Sequence, residues 1–153
     1  MASYLLPADG LLPKWLLFVS IVSIANSVQA YISLKGTREV YAGPAPPPLP
    51  SGIPKRTVAA TQESTSPVTP LSARTFGTWT ALSCVIRLYG AYNIHDKLVY
   101  ELCIWTYVIA FAHFTSELFV FRSARIGRGI AAPMAVATGT LTWMLLQWGA
   151  YVN

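Results

Sequence analysis

Apolar residues in this chain collect in runs of about 20, the length an α-helix needs to cross the roughly 30 Å hydrocarbon core of a bilayer. That clustering leaves few folds open. The runs extend from about Trp15 to Leu34, Thr75 to Tyr92, Leu98 to Phe121 and Ile130 to Tyr151. Composition agrees with a lipid solvent: of 153 residues, 54% are hydrophobic and 11% charged, against about 25% charged in an ordinary soluble domain. The expectation is an all-α, integral membrane four-helix bundle, one transmembrane domain over residues 1–153.

The connections sort the spans. Between the first and second runs, residues 43–71 carry Pro44, Pro46, Pro47, Pro48, Pro50, Pro54, Pro67 and Pro70 among Ser, Thr and Ala. Proline removes backbone donors and favours polyproline II, so this segment reads as a loop outside the bundle. Its Pro-x-x-Pro spacings also fit an SH3-like groove, although a plain linker is by far the better account of so short a pattern. Asn93 to Lys97 is short enough to make an antiparallel hairpin of the second and third spans. Arg122, Arg125 and Arg128, with Gly127 and Gly129, separate the third from the fourth. Lys14 and Lys97 then share one side. Lys35, Arg38, Lys55, Arg56, Arg74, Arg122, Arg125 and Arg128 share the other. Cytoplasmic loops carry the Lys and Arg excess, which puts both termini in the lumen. Tyr89, Tyr92, Tyr100, Trp148 and Tyr151 collect towards the terminus side as an interfacial belt.

Arg87, Glu101, His113 and Glu117 lie inside apolar runs, where a charge costs about 2.5–3.5 kcal/mol at the bilayer centre. They are expected to face inward in pairs. Counted from the turn at His95, Arg87 and Glu101 differ in depth by only about 3 Å at 1.5 Å per residue, which predicts an ion pair. Arg74 and Glu117 match in depth at the other end, with His113 one turn from Glu117. The same groups could serve as acids and bases. In the first span Ser20, Ser23 and Ser27 form a stripe flanked by Asn26 and Gln29, a face for close packing. Packing within the chain, onto another protein's helix, or onto a second copy all stay open.

Several chemistries are excluded. The basic residues (net charge +5) cap apolar runs and form no stripe, which argues against nucleic acid. His95 and His113 are too few for a multi-histidine iron site. Dinucleotide, P-loop, serine-elbow and zinc-helix motifs are missing, so no cofactor and no metal is expected. Cys84 and Cys103 fall inside spans as small apolar groups.

The chain also resembles the ergosterol biosynthetic protein 28 family, small endoplasmic reticulum membrane proteins. The likeness is carried by Leu12-Pro13-Lys14-Trp15-Leu16-Leu17-Phe18, Asn26-Ser27-Val28-Gln29-Ala30-Tyr31, Leu71 to Thr80 with Cys84-Val85-Ile86-Arg87-Leu88-Tyr89, His113-Phe114-Thr115-Ser116-Glu117-Leu118, Pro133 and Trp143-Met144. It implies a non-catalytic scaffold that brings together the C-4 methylsterol oxidase, the sterol-4-carboxylate 3-dehydrogenase and the 3-keto sterol reductase. Membrane lipid or sterol is the small-molecule class such a setting implies. The rival reading is a cofactor-free, sterol isomerase-like enzyme using Glu101, Glu117 or His113 as a proton shuttle.

Overall fold

A computed structural model describes residues 10–45 and 65–152. Every regular element among them is a helix: α1 (Leu11–Ile32), α2 (Lys35–Val40), α3 (Pro70–Tyr92), α4 (Lys97–Phe119), α5 (Arg128–Leu146) and α6 (Trp148–Tyr151). Three of these, α1, α4 and α5, are long and apolar enough to cross a membrane. At 23 residues α3 has the length, but Arg74, Arg87, two glycines and several Ser and Thr dilute its apolar content. The centre of the proline-rich loop, 46–64, lies outside the described residues, and with it most of the Pro-x-x-Pro pattern, Lys55 and Arg56.

Local signals explain where the long helices start. Thr69 caps α3 by accepting from the Ser72 amide at 3.1 Å while the Ser72 hydroxyl accepts from the Thr69 amide at 2.9 Å. Pro70 follows at the first helical position, where no amide is required. Asp96 caps α4 through the Val99 amide at 3.0 Å. Two details depart from the sequence expectation. A short helix, α2, follows the first span, and the last span stops at Leu146, with a break at Gln147 before α6.

The helices run up and down. The α1 hydroxyl of Ser27 donates to the Gly77 carbonyl at 2.6 Å, and the Cys84 thiol donates to the Ser20 carbonyl at 3.1 Å. Moving from Ser20 to Ser27 along α1 is thus matched by moving back from Cys84 to Gly77 along α3, which fixes an antiparallel register. Small residues permit the approach: a Cβ on Gly77 would lie 3.0 Å from the Tyr31 ring, and one on Gly90 would lie 2.2 Å from Cys103 Sγ of α4. Lipid gives apolar helices no reason to leave it for one another, so contact rests on close packing and interhelical hydrogen bonds, about 0.6 kcal/mol each on average. Outward faces carry the large side chains, among them Ile21, Val28, Val85, Leu102, Trp105 and Ile109.

Two buried clusters divide the bundle. Near the termini, Leu12, Leu16, Ala91, Ile94, Tyr100, Cys103, Tyr107 and Met144 pack together. Tyr100, expected in the interfacial belt, is fully buried and donates to the Met144 carbonyl at 2.7 Å, because its ring falls on the inward arc of α4. At the loop end Tyr41, Val68, Ala73, Ala110, Phe114, Ala124, Ile130 and Ala137 form the second cluster.

Gly90→Ala is expected to lower stability by about 1–3 kcal/mol through overpacking against Cys103. Gly139→Ala, whose Cβ would meet nothing within 4 Å, should be neutral or stabilising by up to about 1 kcal/mol. Thermal melts in one detergent compare the two, and equal melting would remove the close α3–α4 approach.

Candidate functional site

The serine stripe of α1 is used inside the chain. Ser20, Ser23 and Ser27 are buried against α3, and Ala30 continues the same face. Gln29, half-buried, donates from Nε2 to the Ser33 carbonyl at 3.3 Å and lies under Gly36 of α2. Asn26, also half-buried, turns towards a cleft between α1 and α5.

That cleft has a volume of about 420 Å³. Phe18, Val22 and Asn26 form one wall, and Ala132, Pro133 and Val136 the other. Its floor comes from α3 and α4 through Trp79, Ser83, Arg87, Tyr107 and Phe114. At the loop end Gly36 and Glu39 of α2 meet Arg128 and Gly129. Towards the termini, α1 and α5 close together where Trp15 Nε1 donates to Thr140 Oγ1 at 2.8 Å. The wall is mostly apolar and the polar groups are few, the usual make-up of a small-molecule site.

Arg87 supplies the one positive charge in the cleft floor, and its setting differs from the sequence expectation. Its Nε donates to Thr106 Oγ1 at 3.0 Å, and its guanidinium carbon lies 4.0 Å above the Tyr107 ring. The expected pair with Glu101 does not form. Depth along the helix was matched, but direction was not. At about 100° per residue, Tyr100, Cys103, Tyr107, Ala110 and Phe114 share an arc of about 80°, and Glu101 points about 140° from its centre. Arg87 instead meets a hydroxyl and a π-face. Tyr107 itself is fully buried, its hydroxyl turned towards Thr140 of α5.

The second polar group lies at the loop end, around a separate cleft of about 660 Å³. Tyr41 OH contacts His113 Nε2 at 2.7 Å, and His113 Nδ1 lies 3.9 Å from Glu117 Oε1. Ser123 Oγ donates to Glu117 Oε2. Burial first, and the Glu117 charge second, raise the Tyr41 phenol above its ordinary value. Tyr41 therefore keeps its proton, and the direction of its hydrogen bond with Nε2 follows the tautomer of the His113 ring. The Trp79 ring lies 5.3 Å from the imidazole, centroid to centroid, tilted by 58°. Arg74, expected at the depth of Glu117, is exposed and forms no ion pair with it. Ser123, on the 120–127 turn, binds Glu117 in its place.

Sequence reasoning overlooked Tyr41, Thr106, Tyr107, Ser123 and Thr140. A helical-wheel count on α4 would have found Thr106 and Tyr107, which share the inward side with Cys103. Tyr41 and Ser123 lie outside the apolar runs and carry no local signal. Among the described residues no group of three or more His, Cys, Asp or Glu is placed to hold a metal.

Glu101→Gln should leave detergent stability within about 0.5 kcal/mol of the parent chain. Thr106→Val should lower it by about 1–3 kcal/mol by removing the acceptor of a buried charged donor. Chemical unfolding in mixed micelles measures both, and the reverse order would restore the Glu101 pair.

Comparison with known proteins gives a consistent result. Residues 12–142 match the family model described as Erg28 like protein. The chain is 44% identical to ergosterol biosynthetic protein 28 of Saccharomyces cerevisiae, over 94% of this chain and 84% of that protein. It is 42% identical to the Candida albicans protein of the same name, over 94% and 90%. The Homo sapiens homolog is 36% identical over 90% and 84%. No solved structure matches the chain.

Proposed function

The chain belongs to the Erg28-like family of ergosterol biosynthesis, and on that premise we propose that it is a non-catalytic scaffold of the endoplasmic reticulum membrane. In this reading α3 crosses the bilayer with α1, α4 and α5, both termini face the lumen, and the protein tethers the C-4 methylsterol oxidase, the sterol-4-carboxylate 3-dehydrogenase and the 3-keto sterol reductase. The relatives' names give a pathway and no reaction, which supports a role other than catalysis. Tethering raises the effective concentration of consecutive active sites and limits escape of intermediates.

One observation carries the scaffold reading. From Arg128 to Met144, α5 exposes none of the large hydrophobic side chains that cover the outer faces of α1, α3 and α4. Its outward positions are Ala131, Ala132, Ala135, Thr138, Gly139 and Thr142. Small side chains facing lipid leave room for another helix to approach the backbone. With the α1 stripe already covered by α3, α5 is the surface that suits a partner's helix.

A second reading has its own support. Tyr41, His113 and Glu117 stand in a row along a cleft, an arrangement able to pass a proton. In that case the protein is a cofactor-free, sterol isomerase-like enzyme.

Gly139→Leu separates these readings. It adds bulk where nothing lies within 4 Å, so the bundle should melt unchanged. Quantitative mass spectrometry of tagged protein isolated in mild detergent should show at least about a tenfold loss of the three enzymes, a difference of about 1.4 kcal/mol. Undiminished recovery would sink the α5 surface. Sterol turnover by the purified chain alone, lost in His113→Gln, would establish the enzyme reading instead.

A further inference from the structure

Arg87 is unusual in carrying its charge into an apolar cleft with no carboxylate to meet it. Among the described residues no ion pair involves Arg87, and its one hydrogen bond uses Nε alone. Glu101 points elsewhere, and Glu39 lies at the far end of the cleft, on α2. The two terminal nitrogens of the guanidinium, four N–H donors in a fixed fork, therefore border the cleft without a protein acceptor. Guanidinium groups remain charged in proteins and prefer flat, paired oxygens such as carboxylate or phosphate.

The surroundings restrict what brings those oxygens. Phe18, Val22 and Val136 line the walls, and α1 and α5 diverge so that the cleft opens sideways, where Phe18 and Val22 are about half exposed. An occupant enters from the lipid side and leaves most of its body against apolar side chains. A volume of about 420 Å³ falls in the range of small-molecule sites. A water-soluble anion would have the head for this site but no body to fill it.

We propose that the α1–α5 cleft binds an anionic amphiphile, its carboxylate or phosphate held by the Arg87 guanidinium and its apolar body along Phe18, Val22 and Val136. The site needs only the unpaired guanidinium and the cleft, and it stands whether or not α5 docks other proteins. A sterol acid and an acidic phospholipid share the head chemistry, so both are offered as probes.

The purified full-length chain is placed in nanodiscs of phosphatidylcholine with either cholenic acid or phosphatidic acid added. It is then re-isolated, and the retained lipid is quantified by mass spectrometry. The cholenic acid methyl ester serves as the uncharged control. At least one acid should be retained about tenfold or more above the ester and phosphatidylcholine. Arg87→Gln should abolish that preference. Val22→Trp alters an exposed wall position and leaves the charge in place; it should lower retention severalfold with the melting temperature unchanged, which keeps the test decisive if Arg87→Gln folds poorly. Retention of cholenic acid alone identifies a sterol acid, and retention of phosphatidic acid alone identifies a lipid headgroup. Equal retention of acid and ester, or full retention by Val22→Trp, overturns the proposal. Because the readout is lipid bound to the isolated chain, it can fail while enzyme recovery on α5 succeeds, and the reverse.

Discussion

The antiparallel contact of α1 with α3 sets the rest of the bundle. In lipid, two apolar helices gain nothing by leaving solvent, so they stay together only if their backbones come close enough for dense packing and for hydrogen bonds between them. Ser27 to Gly77 and Cys84 to Ser20 meet both conditions along one seam. This seam puts Arg87 at a fixed height and leaves α1 free on its other side to diverge from α5. The cleft is thus a product of how tightly α1 holds α3: the same helix cannot close on both neighbours along its full length.

Polar groups are gathered at opposite ends of the molecule, and they do different work. Near the termini, Trp15, Thr140, Tyr100 and the Met144 carbonyl tie α1 and α4 to α5. At the loop end, Tyr41, His113, Glu117 and Ser123 join three separate stretches of chain through one row of contacts. Between them lie the Arg87 side chain and the apolar cleft walls.

The helical class and the membrane character were legible because apolar runs of membrane length are a signal summed over many residues. The hairpin at Asn93 to Lys97 could also be read from the shortness of its connection. Side-chain partners could not. Arg87 and Glu101 agree in depth, but whether two groups meet also depends on the angle at which each leaves its helix, and a single residue changes that angle by about 100°. Glu117 lost its expected partner for a related reason: Ser123 approaches it from a turn whose shape no periodicity records. The helix α3 shows the limit in the other direction. Its Gly77, Ser83 and Gly90 weaken the apolar signal of a span, yet those residues are what allow neighbours on both sides.

The two ends of the proline-rich segment are fixed to the bundle and to each other. The Ser66 hydroxyl donates to the Tyr41 carbonyl at 2.6 Å, Thr65 Oγ1 to the Ala42 carbonyl at 3.2 Å, and the Gly43 amide to the Ser123 carbonyl at 2.8 Å. Gly43 itself has a φ of 68° and passes the Thr65 carbonyl too closely for any side chain. Entry and exit are therefore stitched side by side, like the neck of a drawstring bag. With the two ends held together in this way, a longer or shorter stretch between them changes the closure entropy only logarithmically.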